Sequence, residues 1–261
     1  MPQQRHLSAF LTEKGYLNQA VKLQAGTYIQ SAHVSSARLA LEKDRDSLYK
    51  NALIAYCGVF KMIASNNFSW AFVHSYYSIV YFYQALLAFN DISLCYDQGK
   101  PFSIKLTSGA KFKKEDGNTH KSIHALFKEE FNSDAEICSD IDGVVVCDWF
   151  ENMRNNVNYK TVPQPDPMAG YGICEYEGGA DLRKMISTYL KDLDVYSYTP
   201  EHSYVAYPLL LIRRIMRLFE SKGQKFSYLK DPSFVKYLCE NIKDKNGQLS
   251  QVMDLINGIG I

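Results

Sequence analysis

Helical spacing of apolar residues dominates the first half of the sequence. Between residues 31 and 63, apolar side chains recur every three or four positions, which is the spacing of one face of an α-helix. A second apolar segment, at 66–90, contains no Asp, Glu, Lys or Arg. Turn-forming residues at 65–67 separate the two segments, so we expect a long antiparallel helix pair.

The uncharged segment at 66–90 is long enough to cross a bilayer. However, it contains His74, Gln84, several serines and many tyrosines, whose polar groups are costly in hydrocarbon, and no cluster of Lys or Arg flanks it. We therefore expect a buried helix and no association with a membrane. The sequence also begins without the apolar run of a secretory signal, which predicts a cytoplasmic protein.

Further amphipathic helices are predicted along the rest of the chain. Thr119 is a candidate cap for one of them, and Thr199–Pro200 and Asp231–Pro232 are helix-start signals. These signals lead into predicted helices at 120–131, 207–223 and 233–243, and two further helices are predicted at 144–160 and 180–193. Residues 91–118 are rich in Gly, Pro and Lys and predict an irregular excursion.

The predicted fold class is all-α, because convincing strand patterns are scarce. The best β-branched run, at 144–147, is too short to outweigh its helical surroundings. We expect three parts: an N-terminal segment at 1–30, a helical bundle at 31–195, and a C-terminal helical extension at 196–261.

The overall charge does not indicate a ligand. The chain has 29 basic and 28 acidic side chains and a formal net charge of +1, so any nucleic-acid site must be local. Six cysteines are present, but none form a CxxC pair, so neither a zinc ribbon nor a thioredoxin-like redox pair is indicated. We expect reduced thiols.

Three pieces in the centre of the chain resemble the HEPN superfamily, the helical bundles of prokaryotic toxin, nucleotidyltransferase-linked and antiviral systems. The pieces span roughly residues 45–165 and occur in the family's order. They are the helix pair with Phe68, Ala71, Ser75, Tyr76 and Tyr77, a helix start with Thr119, His120 and Lys121, and the run RNNVNY at 154–159. The resemblance implies a HEPN-like helical bundle.

The family's catalytic motif is an Arg, usually followed by a polar residue, with a His four to six residues further on. Here Arg154 and Asn155 match it, whereas Tyr159 stands in place of the His. On a helix these residues and Asn158 form one polar stripe. In relatives that cleave RNA, two such stripes meet across a homodimer axis and form a metal-independent site. The resemblance therefore implies a homodimer and an RNA or nucleotide ligand, without a cofactor or metal.

The replacement of His by Tyr changes what the motif can do. A metal-independent ribonuclease needs a base for the 2′-hydroxyl proton and a cation for the charge that develops on the phosphate. Arg154 can supply the cation. A tyrosine of pKa ~10 is ionised in only about one molecule in a thousand at pH 7, so Tyr159 is a poor base. We expect weak or partner-dependent ribonuclease activity.

Several residues have both a functional and a structural interpretation. Candidate contacts to RNA or nucleotide, besides Asn158, are His120, Lys121, Lys111, Lys113 and Lys114. The structural alternatives are ordinary helix capping for His120 and Lys121 and a solvated loop for the three other lysines. Arg154 and Asn155 could instead form a helix-surface pair or a dimer contact. Tyr159 could instead pack at the end of the bundle or in a dimer interface. The resemblance also allows it to be a tyrosine that a partner enzyme modifies. His120 and His124 lie four apart, but no third metal ligand can be named.

The leading hypothesis is a HEPN-like component of a toxin–antitoxin or antiphage system that binds RNA at Arg154, Asn155 and Tyr159. The alternative is a noncatalytic dimeric subunit that scaffolds or regulates a catalytic partner or is held by an antitoxin. In that alternative, 207–219, with its three arginines, is the candidate docking surface. A third hypothesis is a bundle that binds a small molecule in its tyrosine-rich interior.

Overall fold

Helices dominate the fold. A computed structural model describes residues 5–157, 179–244 and 247–258 of the chain. Over these ranges the protein has ten α-helices and three small antiparallel sheets, which confirms a mostly helical class. The helices are α1 His6–Glu13, α2 Ser31–Ala64, α3 Phe68–Phe89, α4 Thr119–Phe131, α5 Val146–Asn155, α6 Gly179–Lys191, α7 Leu193–Ser197, α8 Pro200–Ser221, α9 Pro232–Asn241 and α10 Ser250–Ile256.

The chain forms two compact units, each made of two stretches of sequence. The first unit comprises Met1–Tyr49 and Tyr83–Glu130, and the second comprises Lys50–Phe82 and Phe131–Ile261. Both α2 and α3 contribute residues to each unit. The predicted division into three consecutive parts, with limits at positions 30 and 195, therefore does not coincide with these units.

The predicted antiparallel pairing of α2 and α3 is present, with Asn66 in a left-handed conformation in the turn between them. Within the second unit, the Ser78 hydroxyl donates a hydrogen bond to the Ala52 carbonyl oxygen at 3.0 Å. The His74 ring lies directly against Gly58, where a Cβ atom would come within 2.3 Å of the imidazole. A glycine is thus required for this close approach. In the described ranges, no helix is both long and apolar enough to span a membrane.

The interpretation of 91–118 as an irregular excursion was wrong. It contains β1 Ile92–Asp97, β2 Lys100–Lys105 and β3 Lys113–Lys114, which form an antiparallel sheet in that order. Five of the six β1 residues are buried, so β1 lacks the polar alternation that marks a strand with one solvated face. Between β1 and β2, Gln98 and Gly99 both have positive φ, as a tight two-residue hairpin requires.

A second short hairpin precedes α5. Strands β4 Asp140–Ile141 and β5 Val144–Val145 pair on either side of Asp142 and Gly143, which both have positive φ. Asp-Gly is among the strongest sequence signals for such a turn. Consequently, the predicted helix at 144–160 begins later than expected, at Val146. The third sheet pairs β6 Lys243–Asp244 with β7 Gly247–Gln248.

Helix starts agree with the predicted signals at two of three places. Pro200 is the first residue of α8, and the Asp231 side chain accepts backbone N–H groups of the first turn of α9. At α4, however, the capping side chain is Asn118, whose Oδ1 accepts the Lys121 N–H at 3.1 Å. The predicted cap, Thr119, instead accepts a hydrogen bond from a tyrosine hydroxyl. The capping residue is thus one position earlier than predicted, immediately before the helix, from where a side-chain oxygen reaches a backbone N–H of the first turn.

Buried carboxylates organise the first unit. Asp44 on α2 accepts two backbone N–H groups at the start of α1, at 2.7 and 2.9 Å, and so caps that helix from a distant part of the chain. Asp97 at the end of β1 accepts the N–H of Asn18 at 2.7 Å and that of Leu23 at 2.9 Å. These bonds fix the long connection between α1 and α2.

An aromatic cluster forms the core of the second unit where α5 packs. Phe150 on α5 is 0% exposed, and its ring stacks on Phe72 of α3, with centroids 5.6 Å apart, and on Tyr207 of α8, at 5.5 Å. Trp149 also contacts Phe72, at 5.9 Å. Stacked and tilted rings at these separations are favourable beyond their buried area. The cluster fixes α5, and hence the position of its last turn, against α3 and α8.

Candidate functional site

Arg154 and Asn155 lie in the last turn of α5, as the motif predicts for a helix. Both side chains are half-buried. Arg154 Nη1 donates a hydrogen bond to Asn155 Oδ1 at 3.0 Å, and Arg154 Cζ lies 5.6 Å from the centroid of the Tyr76 ring on α3. A guanidinium at this distance from an aromatic ring is attracted by the ring's negative face. The arginine is therefore held in one orientation at the protein surface.

Tyr76 supports Arg154 through its ring and not as a base. Its side chain is buried and contacts the Tyr77 ring edge-on, with centroids 5.7 Å apart. Burial raises the pKa of the Tyr76 hydroxyl well above its usual value, and the nearby Glu151 carboxylate raises it further, against an opposing effect of Arg154. The hydroxyl is thus protonated at neutral pH. Neither Tyr76 nor Glu151 was predicted as a neighbour of Arg154.

The other half of the predicted motif, Asn158 and Tyr159, lies outside the described residues. The polar stripe is therefore described for Arg154 and Asn155 alone. The role of Tyr159 stays a prediction from the sequence.

Two of the three predicted basic contacts at 111–114 have partners within the first unit. Lys113 Nζ lies 2.8 Å from Glu129 Oε2 and 3.7 Å from Glu115 Oε1. The hydrogen bond to Glu129 is the main reason that the pKa of Lys113 is raised. Lys111 Nζ lies over a tyrosine ring, 4.8 Å from its centroid, while Lys114 is exposed. Because neighbouring carboxylates offset Lys113, the segment is a weaker attractor for phosphate than its sequence indicates.

His120 and Lys121 occupy the first turn of α4, where the resemblance predicted a helix start. His120 is half-buried and Lys121 is exposed, and the Lys121 N–H is already bonded to Asn118. These residues and the lysines at 111–114 belong to the first unit, whereas Arg154 and Asn155 belong to the second. The predicted contacts thus fall into two groups.

His124, four residues after His120, faces the protein interior. It is buried, and its ring lies edge-on to Tyr83, with centroids 6.0 Å apart. Throughout the described part of the chain, no group of three or more His, Cys, Asp or Glu side chains is arranged to hold a metal ion. The His120 and His124 pair gains no third ligand there.

The segment at 207–219 was predicted, in the alternative hypothesis, to be a docking surface. That prediction was wrong, because its apolar side chains face the interior of the second unit. The buried side chains are Tyr207, Leu209, Leu210, Leu211, Ile212, Ile215, Met216 and Phe219. Residues of this kind pack the core and are unavailable to a partner.

The arginines of this segment form an ion-pair cluster centred on Glu136. Glu136 Oε1 lies 2.9 Å from Arg217 Nη1 and 3.3 Å from Arg213 Nη2, and Glu136 Oε2 lies 3.5 Å from Arg214 Nη1. The other carboxylates of the cluster are Asp134 and Asp194. The three positive charges are thus offset by three negative charges from the same unit.

Replacing Glu136 by Ala is expected to lower the free energy of unfolding by about 1–2 kcal/mol, because three arginines lose a shared partner that is only partly exposed. Urea denaturation at low and high salt measures the loss, which should shrink as salt screens the remaining charges. Glu136→Gln keeps an acceptor and should lose less. A loss equal to that of Glu220→Ala, an exposed glutamate on α8, would contradict the assigned role.

Comparison with known proteins does not identify a family. No protein-family profile, curated protein or solved structure matches the chain. The HEPN assignment therefore stands on the sequence resemblance and is carried forward as a proposal.

Proposed function

We propose that this protein is a HEPN-like component of a prokaryotic toxin–antitoxin or antiphage defence system, cytoplasmic and homodimeric, that binds RNA or a nucleotide at a groove containing Arg154, Asn155 and Tyr159. One observation carries the proposal: the half-buried Arg154 guanidinium is fixed by Asn155 and by the Tyr76 ring. A fixed, partly exposed guanidinium suits a phosphate, since its planar fork can donate two hydrogen bonds with little further loss of entropy.

The proposed chemistry needs no metal ion. The 2′-oxygen of RNA attacks the adjacent phosphorus as a base removes the 2′-hydroxyl proton, and Arg154 stabilises the charge on the phosphate oxygens. The bond from phosphorus to the 5′-oxygen breaks, and that oxygen takes a proton. The products are a 2′,3′-cyclic phosphate and a 5′-hydroxyl. Because Tyr159 is a poor base, we propose that cleavage is weak or depends on a partner protein.

Replacing Arg154 by Ala is expected to weaken RNA binding about tenfold or more at moderate salt, because a fixed phosphate contact is lost. Fluorescence anisotropy with labelled RNA over a range of salt concentrations measures this, and the wild type should show the steeper salt dependence. Arg38→Ala is the matched control, because Arg38 is a partly exposed arginine paired with Asp91 in the other unit. Equal affinities of wild type and Arg154→Ala would contradict the proposal.

Cleavage is tested separately, by incubating the protein with mixed RNA and tRNA in chelator and identifying the fragment ends. Cyclic phosphates that disappear in Arg154→Ala would establish the ribonuclease activity, and Tyr159→Phe tests the tyrosine hydroxyl. Absence of cleavage at high protein concentration, with binding intact, leaves a binding function that requires a catalytic partner.

A second candidate is the noncatalytic dimeric subunit that scaffolds or regulates a catalytic partner. The observation that favours it is that α3 exposes the large aromatic side chains of Trp70 and Tyr77, which another protein could cover. If this candidate is right, the protein does not bind RNA and a second protein co-purifies with it. Arg154→Ala should not change that association.

A further inference from the structure

The outward face of α3 consists entirely of ring-containing side chains. Of the 22 residues of α3, only four are not buried, and they recur at intervals of four, three and four positions. They are Trp70, His74, Tyr77 and Tyr81. Trp70 is 55% exposed and Tyr77 is 37% exposed. Residues at this spacing line one side of a helix, so the four rings form a single surface, here called the α3 face.

The neighbouring surface of α2 extends the α3 face without adding much charge. Gly58 allows the His74 ring to lie against α2, which limits the positions that this ring can adopt. One turn before and after Gly58, the half-buried side chains of α2 are Ile54, Ala55 and Met62. Lys61 stands at the edge, with its ammonium group 5.7 Å from the centroid of the Tyr237 ring.

The α3 face carries no formal charge at neutral pH. The pKa of His74 is lowered, mainly by burial and also by the positive charge of Lys61, so its imidazole is neutral. The exposed side of an amphipathic helix usually carries charged residues. Aromatic enrichment together with depletion of charge is instead typical of the centre of a protein–protein interface.

We infer that the α3 face packs against the α3 face of a second copy of this chain, with the two helices antiparallel about a twofold axis. The intervals between the four rings along α3 are four, three and four residues, whichever end of the helix they are counted from. A twofold axis therefore places Trp70 opposite Tyr81 of the second copy, and His74 opposite Tyr77 of the second copy. Each ring then meets another ring. This supplies the interface of the proposed homodimer, and in that respect it rests on the proposed function.

The chemistry of the face favours a second copy over nucleic acid. A twofold interface buries the same residues of both copies, so any charge in it would lose its water twice, and the α3 face carries none. Single-stranded RNA, by contrast, needs basic side chains along the strand in addition to rings on which bases stack. The α3 face itself contains no Lys or Arg. Lys61 stands at one edge of it, and Arg154 lies over the ring of Tyr76, which contacts Tyr77. Trp and Tyr are also the residues that most often dominate interface energies.

The first test is the oligomeric state of the full chain, measured by sedimentation over about a hundredfold range of concentration. The wild type is expected to be dimeric, and Trp70→Glu or Tyr77→Glu should weaken the dimer by about tenfold or more. Leu39→Glu is the matched control, because Leu39 is an exposed apolar residue, 62% exposed, on the part of α2 in the other unit. Thermal unfolding confirms that each variant is folded.

The second test addresses the antiparallel pairing. Trp70→Lys and Tyr81→Glu should each weaken their own homodimer, but an equimolar mixture should restore a dimer, because the new lysine then faces the new glutamate and the other Trp70–Tyr81 pair is unchanged. Failure of the mixture to restore a dimer would overturn this pairing.

Other outcomes also decide the inference. A monomeric wild type, or a dimer unaffected by both glutamate variants, would overturn it. A monomer whose RNA affinity falls in Trp70→Ala would show that the face stacks RNA bases instead. Arg154→Ala should leave the dimer intact, so a failure of the RNA proposal and a failure of the dimer inference are distinguishable.

Discussion

Replacing Phe150 by Ala is expected to lower the free energy of unfolding by about 3–5 kcal/mol, because it removes a large aromatic side chain from a close-packed core. Phe150 is fully buried, and its ring stacks on Phe72 and on Tyr207. The loss should also free the last turn of α5, and with it Arg154. Urea denaturation followed by circular dichroism measures the stability, and RNA affinity measured below the transition reports on Arg154.

The control for this variant is Phe150→Leu, which retains most of the buried volume and should lose about 1–1.5 kcal/mol. Leu39→Ala removes apolar atoms at an exposed position and should change stability by less than about 0.5 kcal/mol. A loss below about 1 kcal/mol for Phe150→Ala would mean that the aromatic cluster does not hold α5 in place.

Replacing Asp97 by Ala is expected to lower the free energy of unfolding by about 2–3 kcal/mol, because two backbone N–H groups lose a charged acceptor in a buried site. Asp97 is only 2% exposed, and its two oxygens accept the N–H groups of Asn18 and Leu23. Denaturation measures the total loss. Hydrogen exchange should show faster exchange at these two amides before the rest of the first unit is affected.

Two variants are controls for Asp97→Ala. Asp97→Asn keeps one acceptor oxygen but turns an NH2 group toward a donor, so its loss should be intermediate. Asp116→Ala removes an exposed aspartate from the same unit and should be nearly neutral. If Asp97→Ala behaved like Asp116→Ala, the connection between α1 and α2 would not depend on this carboxylate.

The helices could be predicted because their signals are local. The apolar spacing of α2, the uncharged run of α3, and the starts at Pro200 and Asp231 each depend on a few neighbouring residues. The strands could not be recognised from alternation, since β1 is buried on both sides. Their turns do carry a signal, in Gly99 and in the Asp142–Gly143 pair, because a tight two-residue hairpin needs residues that adopt positive φ.

The site was predictable only as far as its own helix. The sequence places Arg154 next to Asn155, but the packing of α5 on α3 decides that Tyr76 lies beneath the guanidinium. The arginine cluster shows the same limit. The sequence of 207–219 indicates a basic surface for a partner, whereas the ion-pair partner of these arginines, Glu136, lies in an acidic connector far away along the chain. Pairing across such distances depends on the tertiary fold and leaves no periodic pattern.

The interleaved composition of the two units sets an order for making the protein. The first unit takes its second stretch from Tyr83–Glu130, so its first 49 residues cannot complete their core until that stretch has left the ribosome. By then, Lys50–Phe82 of the second unit has already been synthesised. No single cut of the chain releases either unit as one contiguous fragment. The first unit has all its residues once Glu130 has been synthesised, whereas the second unit also needs Phe131–Ile261. A chain truncated after Glu130 therefore keeps every residue of the first unit and loses most of the second.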